Sequence, residues 1–426
     1  MRPILKMVGG AALYCITTDR FKSEYFSLRY ILPLSKDTAQ QVTLLPTVLS
    51  RGTERHPTKL LINRHLDELY STTVSVRNQR IGDMHSIGLC ADLLGSRFVE
   101  GKNGILPDVI EAMADLLYRP VMQDGLLRAD FVESEKKHLI DGIRAAINNP
   151  RSYAAGKCRR LLCAGEPFAL SLSGSEDTVK DITAATLTAH HQALLEATPT
   201  FFYVGATDPD EVAAMLAAAF PSFAKPTVPY TAVVKRGEGE PVCGEEEMPL
   251  CQGKLALGFR TDVSLGHPLA PATILLNEIY GGSPASKLFL NVRERRSLCY
   301  HCSSGSDLYK GVLFAHAGMT PENRRVTEEA MLEEFYALSR GEISDVELEA
   351  ARRSLDHSYR QALDNPAALA DFYGSRALIG NTDTVDSFRA AVGAVTKSDV
   401  IEAAAHLRHG ATFFLKGTLD GEEAEE

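Results

Sequence analysis

Apolar residues recur along this chain with two distinct periods. Phe26, Leu28, Tyr30 and Leu32 are separated by Ser27, Arg29 and Ile31, a period close to two that predicts a half-buried strand. Ala12–Thr17 precedes it and is expected to be its hairpin partner, turning through Thr18–Ser23. The period then lengthens. Lys36–Ser50 predicts a helix with Ser35 or Asp37 as N-cap and Gly52 just past its end. Helices are expected over Arg64–Tyr70, Pro107–Tyr118, Arg128–Ile147, Ala154–Cys163 and Thr183–Glu196, and strands over Ser71–Asn78, Met84–Leu93 and Thr200–Ala206. From Pro221 to Pro249 the chain is rich in Pro, Gly and charge and reads as a linker.

After the linker the pattern restarts. Leu255, Leu257 and Phe259 alternate as a strand, Ala270–Tyr280 predicts a helix ending at Gly281–Gly282, and Leu288–Arg296 a second helix. Strands over Cys299–Asp307 and Val312–Met319 precede helices over Asn323–Leu338, Ser344–Leu363, Leu369–Leu378 and Lys397–His406, and Thr412–Gly417 is the last strand. Gly52 and Tyr70 recur as Gly282 and Tyr300, both 230 positions on. Asn149-Pro150 recurs as Asn365-Pro366, and Phe201-Phe202 with Gly205 as Phe413-Phe414 with Gly417. The same anchors in the same order indicate an internal duplication. The expected fold class is therefore α+β: two homologous repeats, each a mostly antiparallel sheet covered by helices on one face. The expected division is a first repeat over 1–225, a linker over 226–250, a second repeat over 251–420 and an acidic tail over 421–426, read as disordered.

Composition narrows the partners. A net charge of −10 without a long Lys/Arg run disfavours nucleic acid, whose phosphates need a concentrated basic face. No apolar run approaches the ~20 residues that span a bilayer, so no membrane partner is expected. The short apolar stretch before Thr18 reads as a first strand rather than an export signal. The eight cysteines are too sparse for a disulfide scaffold, and a cytoplasmic protein with reduced thiols is expected.

One segment carries a resemblance. Gly281–Tyr300, GGSPASKLFLNVRERRSLCY, has a Gly-rich turn, Ser286-Lys287-Leu288-Phe289 opening a helix, and Arg293 followed seven residues later by Tyr300. It resembles the second-repeat signature of the insulinase/pitrilysin-type metallopeptidases, the short processing-peptidase-like subunits above all. With the duplication, the resemblance extends over nearly the whole chain. It implies an inverted zinc motif, His-x-x-Glu-His, on the first helix of the first repeat, where two His four apart share one helix face and the Glu activates the metal-bound water. Here Thr43 stands for the first His, Pro46 for the Glu and Thr47 for the second His. The family's paired glutamates fall on Glu135 and Gly142, and the third-ligand position is Gly142. Proline at 46 also predicts a kink or a helix start there. No metal, no cofactor and no catalytic residue of its own are therefore expected, and the chain is not expected to be an enzyme alone.

The resemblance implies instead that Arg293 and Tyr300 bind substrate, hydrogen-bonding the scissile carbonyl or its oxyanion. Its implied partner is a zinc-bearing homologous peptidase subunit, the two together closing a peptide-holding chamber. Two alternatives stay open: a purely structural or binding homodimer, and an active zinc endopeptidase with atypical ligands. Other clusters read more plainly. Cys299 and Cys302 form C-x-x-C, but residues three apart on a strand face opposite sides, which argues against redox or metal chemistry. Glu402, His406 and His409 have helical spacing and read as a helix end stopped by Gly410. His190-His191 cannot share a face, and Gly281-Gly282-Ser283-Pro284 reads as a turn rather than a phosphate loop.

Overall fold

A computed structural model describes residues 2–101 and 103–419. The acidic tail expected over 421–426 lies outside the described residues. The strands are β1 (Ile4–Val8), β2 (Ala11–Thr17), β3 (Ser23–Pro33), β4 (Thr73–Ile81), β5 (Met84–Leu94), a small hairpin β6 (Met122–Gln123) and β7 (Leu126–Leu127), β8 (Thr200–Gly205), β9 (Val242–Met248), β10 (Gly253–Arg260), β11 (His301–Asp307), β12 (Val312–Met319) and β13 (Arg408–Gly417). They form a sheet of order β1-β2-β8-β3-β5-β4 and another of order β11-β12-β10-β13-β9. Apart from the extra edge strand β1, one topology is built twice: β2-β8-β3-β5-β4 matches β9-β13-β10-β12-β11. In each sheet one pair is parallel, β2 with β8 and β9 with β13, and the rest are antiparallel.

Two expectations fail here. β2 is not the hairpin partner of β3: β8 lies between them, and β2 turns back instead on β1 through Gly9 and Gly10, both at positive φ. The expected linker over 226–250 contains a strand, β9, whose Glu245, Glu246 and Glu247 suggested a solvated loop. β9 is an edge strand, and its carboxylates are paired, Glu245 with Arg324 at 2.8 Å, Glu246 with the Tyr153 hydroxyl at 2.7 Å and Glu247 with Lys416 at 2.8 Å. Charge on an edge strand also guards it against pairing with another chain.

The chain folds as two compact units. Among the described residues, one holds those within 2–144, 170–231 and 361–384; the other holds those within 145–169, 232–360 and 385–419. Each repeat thus lends one helical segment to the unit built mainly from the other, which the expected linear boundary did not contain. The lent helices are Pro150–Leu162 and Pro366–Leu378, and they start alike. Asn149 and Asn365, the duplicated Asn-Pro anchors, are their N-caps, accepting from Ser152 N at 3.1 Å and Ala368 N at 3.0 Å, with Pro at the first helical position, where no amide donor is needed.

This exchange changes the burial of the central strands. In the first unit Phe26, Leu28 and Tyr30 of β3 join the main core. Ser27 and Arg29, on the opposite face, are buried too, because the helix Pro366–Leu378 covers them and its Asp371 takes the Arg29 guanidinium at 2.7 Å. β3 is therefore buried on both faces, not half-buried. In the second unit Phe259 of β10 packs on Phe335, ring centroids 4.2 Å apart. The opposite face of β10 meets the lent helix: a Cβ on Gly258 would come within 3.1 Å of Leu162 and 3.2 Å of Cys158. That helix buries Ala154, Cys158 and Leu162, spaced i, i+4, i+8 on one stripe.

Candidate functional site

The positions that the resemblance assigns to zinc lie on the helices Ala39–Leu49 and Ala129–Ala145. The first runs through Pro46 and neither starts nor stops there; it lacks only the amide bond that Pro46 cannot donate to Val42. Ser35 and Asp37 do not cap it: Thr38 is the N-cap position, without a side-chain cap bond. Thr43 Oγ1 donates to the Leu172 carbonyl at 2.7 Å and accepts from Asn78 Nδ2 at 3.0 Å. With its amide nitrogen so engaged, Asn78 turns Oδ1 toward His85 Nε2, 2.6 Å away, which fixes Nε2 as the protonated ring nitrogen. The result is a directed chain from His85 through Asn78 and Thr43 to Leu172. Burial, with help from nearby Arg80, pulls the His85 pKa down to about 4, so the ring is neutral at pH 7. Thr47 Oγ1 donates within its own helix, to Leu44 O at 2.8 Å. Glu135 is paired with Arg51 at 3.2 Å, and Gly142 offers no side chain at all. These residues do not fit zinc: their donors are hydroxyls already spent on structural bonds and one carboxylate already spent on an arginine. Among the described residues no group of three or more His, Cys, Asp or Glu side chains is placed to hold a metal ion.

The second-repeat motif is built differently. Glu278–Gly282 and Leu288–Arg295 are wound as π-helix rather than the expected α-helix, a widened form found disproportionately at functional sites. Ser297, at φ +51°, then reverses the chain. The reversal brings Tyr300 back onto Arg293, whose Nε donates to the Tyr300 carbonyl at 2.9 Å. The Arg293 guanidinium also sits 4.6 Å above the Phe289 ring and lies 3.2 Å from Glu294. Tyr300 N in turn donates to Gly318 O of β12 at 2.8 Å. Arg293 and Tyr300 thus border one open depression of about 360 Å³, and Tyr300 itself is 55% exposed. Two planar, donor-bearing side chains face solvent from a braced turn, which suits hydrogen bonding to a carbonyl oxygen.

The C-x-x-C argument fails on geometry. β11 begins at His301, so Cys299 lies outside the strand and alternation does not apply to it. Interaction with the neighbouring Cys302 thiol, helped by Arg293, holds Cys299 below the ordinary thiol range despite its burial, while Cys299 and burial push Cys302 up. Cys302 Sγ also donates to Leu288 O at 3.0 Å, and Cys299 lines the depression beside Arg293 and Tyr300. The other clusters hold no site. The helix ends at His406, whose Nδ1 is 2.6 Å from Asp262; His409 and Gly410 belong to β13, and His409 bonds Ala411 O and Thr412 Oγ1. Buried His191 bonds Leu117 O at 2.6 Å.

The described residues thus form a duplicated α+β scaffold that carries an Arg/Tyr turn and, at the positions the resemblance assigns to zinc, structural hydrogen bonds. Residues 181–355 match the family described as peptidase M16 inactive domain. The chain is 28% identical over 413 residues to the probable inactive metalloprotease YmfF of Bacillus subtilis, covering 96% of each. Its fold matches a conserved protein from Enterococcus faecalis, TM-score 0.89 at 24% identity over 98% of this chain and 99% of that one. It also matches a peptidase M16 inactive domain from Pseudomonas fluorescens, TM-score 0.80 at 19% identity over 99% of each. Residues 181–355 thus match the M16 inactive domain, and the chain over nearly its whole length is similar to a probable inactive metalloprotease. No helix among the described residues is long and apolar enough to cross a membrane.

Proposed function

We propose that this chain is the non-catalytic subunit of a two-chain peptidase. It binds an extended peptide substrate and completes the active site of a zinc-bearing homologous partner, to which it supplies Arg293 and Tyr300. The carrying observation is the contrast within the chain: the zinc positions are rebuilt into structural hydrogen bonds, while half-buried Arg293 and exposed Tyr300 are held together on one braced turn. Tyr300, with its side chain exposed, is poised for a ligand outside its own chain, and Arg293 braces it. Mixing the purified chain with a zinc-bearing homologue is the test. Peptide turnover that needs both chains, and that falls when Arg293→Ala is introduced, supports the reading; turnover by the homologue alone at the same rate rejects it.

A homodimeric binding role is the second reading. The edge strand β1 favours it, because Ile4, Leu5 and Met7 are exposed there on an unpaired edge. Analytical ultracentrifugation separates the two: a stable homodimer that does not exchange with any zinc-bearing homologue favours the second.

A further inference from the structure

The sheet face beside the Arg/Tyr turn carries a group of cationic and imidazole side chains that the proposed function does not use. Lys254 of β10 and His301 of β11 both pair with Gly318 of β12, and Ser303 of β11 pairs with His316, two residues before Gly318. Directly opposed residues share a face, and so do residues two apart, so all of these point to one side of the sheet. It is the side that meets the lent helix Pro150–Leu162, and Arg151 in the first turn of that helix donates to Ser303 Oγ at 2.7 Å. Gly318 lets the group converge. A Cβ there would lie 2.7 Å from His301 Nδ1 and 3.2 Å from Lys254 Nζ, so the glycine leaves the room in which ring and ammonium meet. His301 Nε2 is buried without a hydrogen-bond partner. Lys254 Nζ gives one proton to the neutral Gln252 Oε1 at 2.8 Å, and Arg151 binds a neutral hydroxyl, so neither bond compensates a charge. Burial, then Lys254, Arg151 and Arg293, holds His301 below the ordinary imidazole range, and burial, then Arg151, lowers Lys254; each charge at work is a cation. An orphaned imidazole nitrogen beside two uncompensated cations calls for an anion. Access is open at exposed Gly305 of β11, where a Cβ would meet nothing within 4 Å.

We infer that Arg151, Lys254, His301 and Ser303 form a carboxylate-binding subsite, and that it takes an acidic group of the peptide bound at Tyr300, a Glu or Asp side chain or the free C-terminus. The inference rests on the peptide-binding part of the proposed function and not on the partner's zinc. Tyr300 immediately precedes His301, and its amide donates to Gly318 O at 2.8 Å, so the turn and the subsite share one frame. β11 is an edge strand, open to a chain lying along it. An extended peptide advances about 3.3 Å per residue, so a group about three residues beyond the one at Tyr300 lies over Ser303 and its neighbours. There a carboxylate accepts from the guanidinium and the ammonium at once, in charge-assisted bonds.

The test is fluorescence anisotropy with the full chain alone. The probe is a labelled decapeptide carrying one Glu, stepped through its positions, against the same peptide with Gln, each with a free and an amidated C-terminus. The acidic peptide is expected to bind roughly tenfold tighter or more at low salt, the gain of a charge-assisted hydrogen bond. A preference confined to one Glu position identifies a side chain; one that follows the free C-terminus identifies the chain end. Arg151→Gln and Lys254→Gln should each bring the ratio of acidic to neutral binding to within about twofold, and Arg151→Lys, which keeps the charge, should retain most of it. Arg151 is exposed, so its variants do not burden the core, and circular dichroism verifies the fold of each. Equal binding of every acid and its amide counterpart, a preference unmoved by both glutamine variants, or no binding of any peptide overturns the inference. The proposed function is read separately. Arg293-dependent turnover by the reconstituted pair that is equal for Glu and Gln peptides leaves that function standing and overturns the subsite.

Discussion

The first-repeat helix Ala39–Leu49 and the second-repeat turn Leu288–Tyr300 occupy the two places where the family's chemistry would be divided, and they have been treated in opposite ways. On the helix every position implied for zinc has lost its ligand, and the replacements face inward to their own fold: Thr43 to Leu172 and Asn78, Thr47 to Leu44. On the turn the implied residues remain, and the fold is arranged to hold them outward. Arg293 uses one nitrogen on the Tyr300 carbonyl and one on Glu294, yet both side chains border an open depression. An erased site is absorbed into packing because an unpaired polar group there costs about 1–3 kcal/mol. A site under use cannot be absorbed, since its donors must stay available. On the function proposed above, the difference in hydrogen-bond partners is what distinguishes the rebuilt zinc positions from the Arg/Tyr turn.

The hardest blow to that contrast would come from kinetics. In the reconstituted pair, Arg293→Ala or Tyr300→Phe is expected to lower kcat/KM by roughly 100-fold, the usual loss on removing one donor to a developing oxyanion. Thr43→Ala and Thr47→Ala in the same assay should leave it within about twofold, because those hydroxyls serve only structure. Equal losses at both places would dissolve the distinction.

Acid sharpens it next. The His85 pKa, about 4 when folded, lies below its ordinary 6.5, so the unfolded chain takes up this proton first as the pH falls. The stabilisation from the neutral ring is complete above pH 6.5 and is lost progressively between 6.5 and 4. Its slope reaches ~1.4 kcal/mol per pH unit. Since His85 anchors the chain of bonds that runs through Thr43 to Leu172, His85→Gln should flatten the acid limb of a urea-denaturation series by about that slope. An unchanged limb would mean that His85 is not held neutral by the first-repeat network.

Much of this contrast was legible in the sequence, and the exceptions have physical causes. The substitution of the zinc positions and the retention of Arg293 and Tyr300 needed only residue identities. Strands such as β12 and β5 and helices such as Ala184–Leu195 were visible because one apolar period ran through them. β9 was not, because an edge strand can carry three consecutive glutamates when each finds a cation or hydroxyl beside it. The helices Pro209–Ala219 and Val385–Ala394 were passed over for their small, alanine-rich faces, which give a weak pattern. The β3 strand looked half-buried because Ser27 and Arg29 are polar; only the lent helix with Asp371 makes their burial tolerable. Helix exchange between repeats leaves no mark on hydrophobic period, although both exchanged helices announce themselves by the same Asn-Pro start. The alternation argument for Cys299 and Cys302 does not hold because β11 begins only at His301.

Equilibrium stability distinguishes the two places more gently. Thr43→Val keeps the shape of the side chain but strands the Leu172 carbonyl and the Asn78 amide, so urea unfolding should report a loss of about 1–2 kcal/mol. Arg293→Ala, measured the same way, should cost no more than about 0.5 kcal/mol, as an exposed side chain with one backbone acceptor. The reverse ranking would make the turn the structural element and the helix the free one.

The smallest effect is expected at Gly142 and has the opposite sign. A glycine inside the helix Ala129–Ala145 weakens it, since an unsubstituted backbone loses more freedom on folding. A Cβ at this position would meet nothing within 4 Å, and its φ is not in the left-handed region, so alanine fits without strain. Gly142→Ala should therefore raise stability by about 0.5–1 kcal/mol. It should also leave turnover of the reconstituted pair untouched. A gain in stability with no change in turnover places residue 142, the third-ligand position by resemblance, wholly on the structural side of the comparison. A loss of turnover would instead show that the backbone at 142 still serves the site, and that the first repeat has kept more of its chemistry than its side chains reveal.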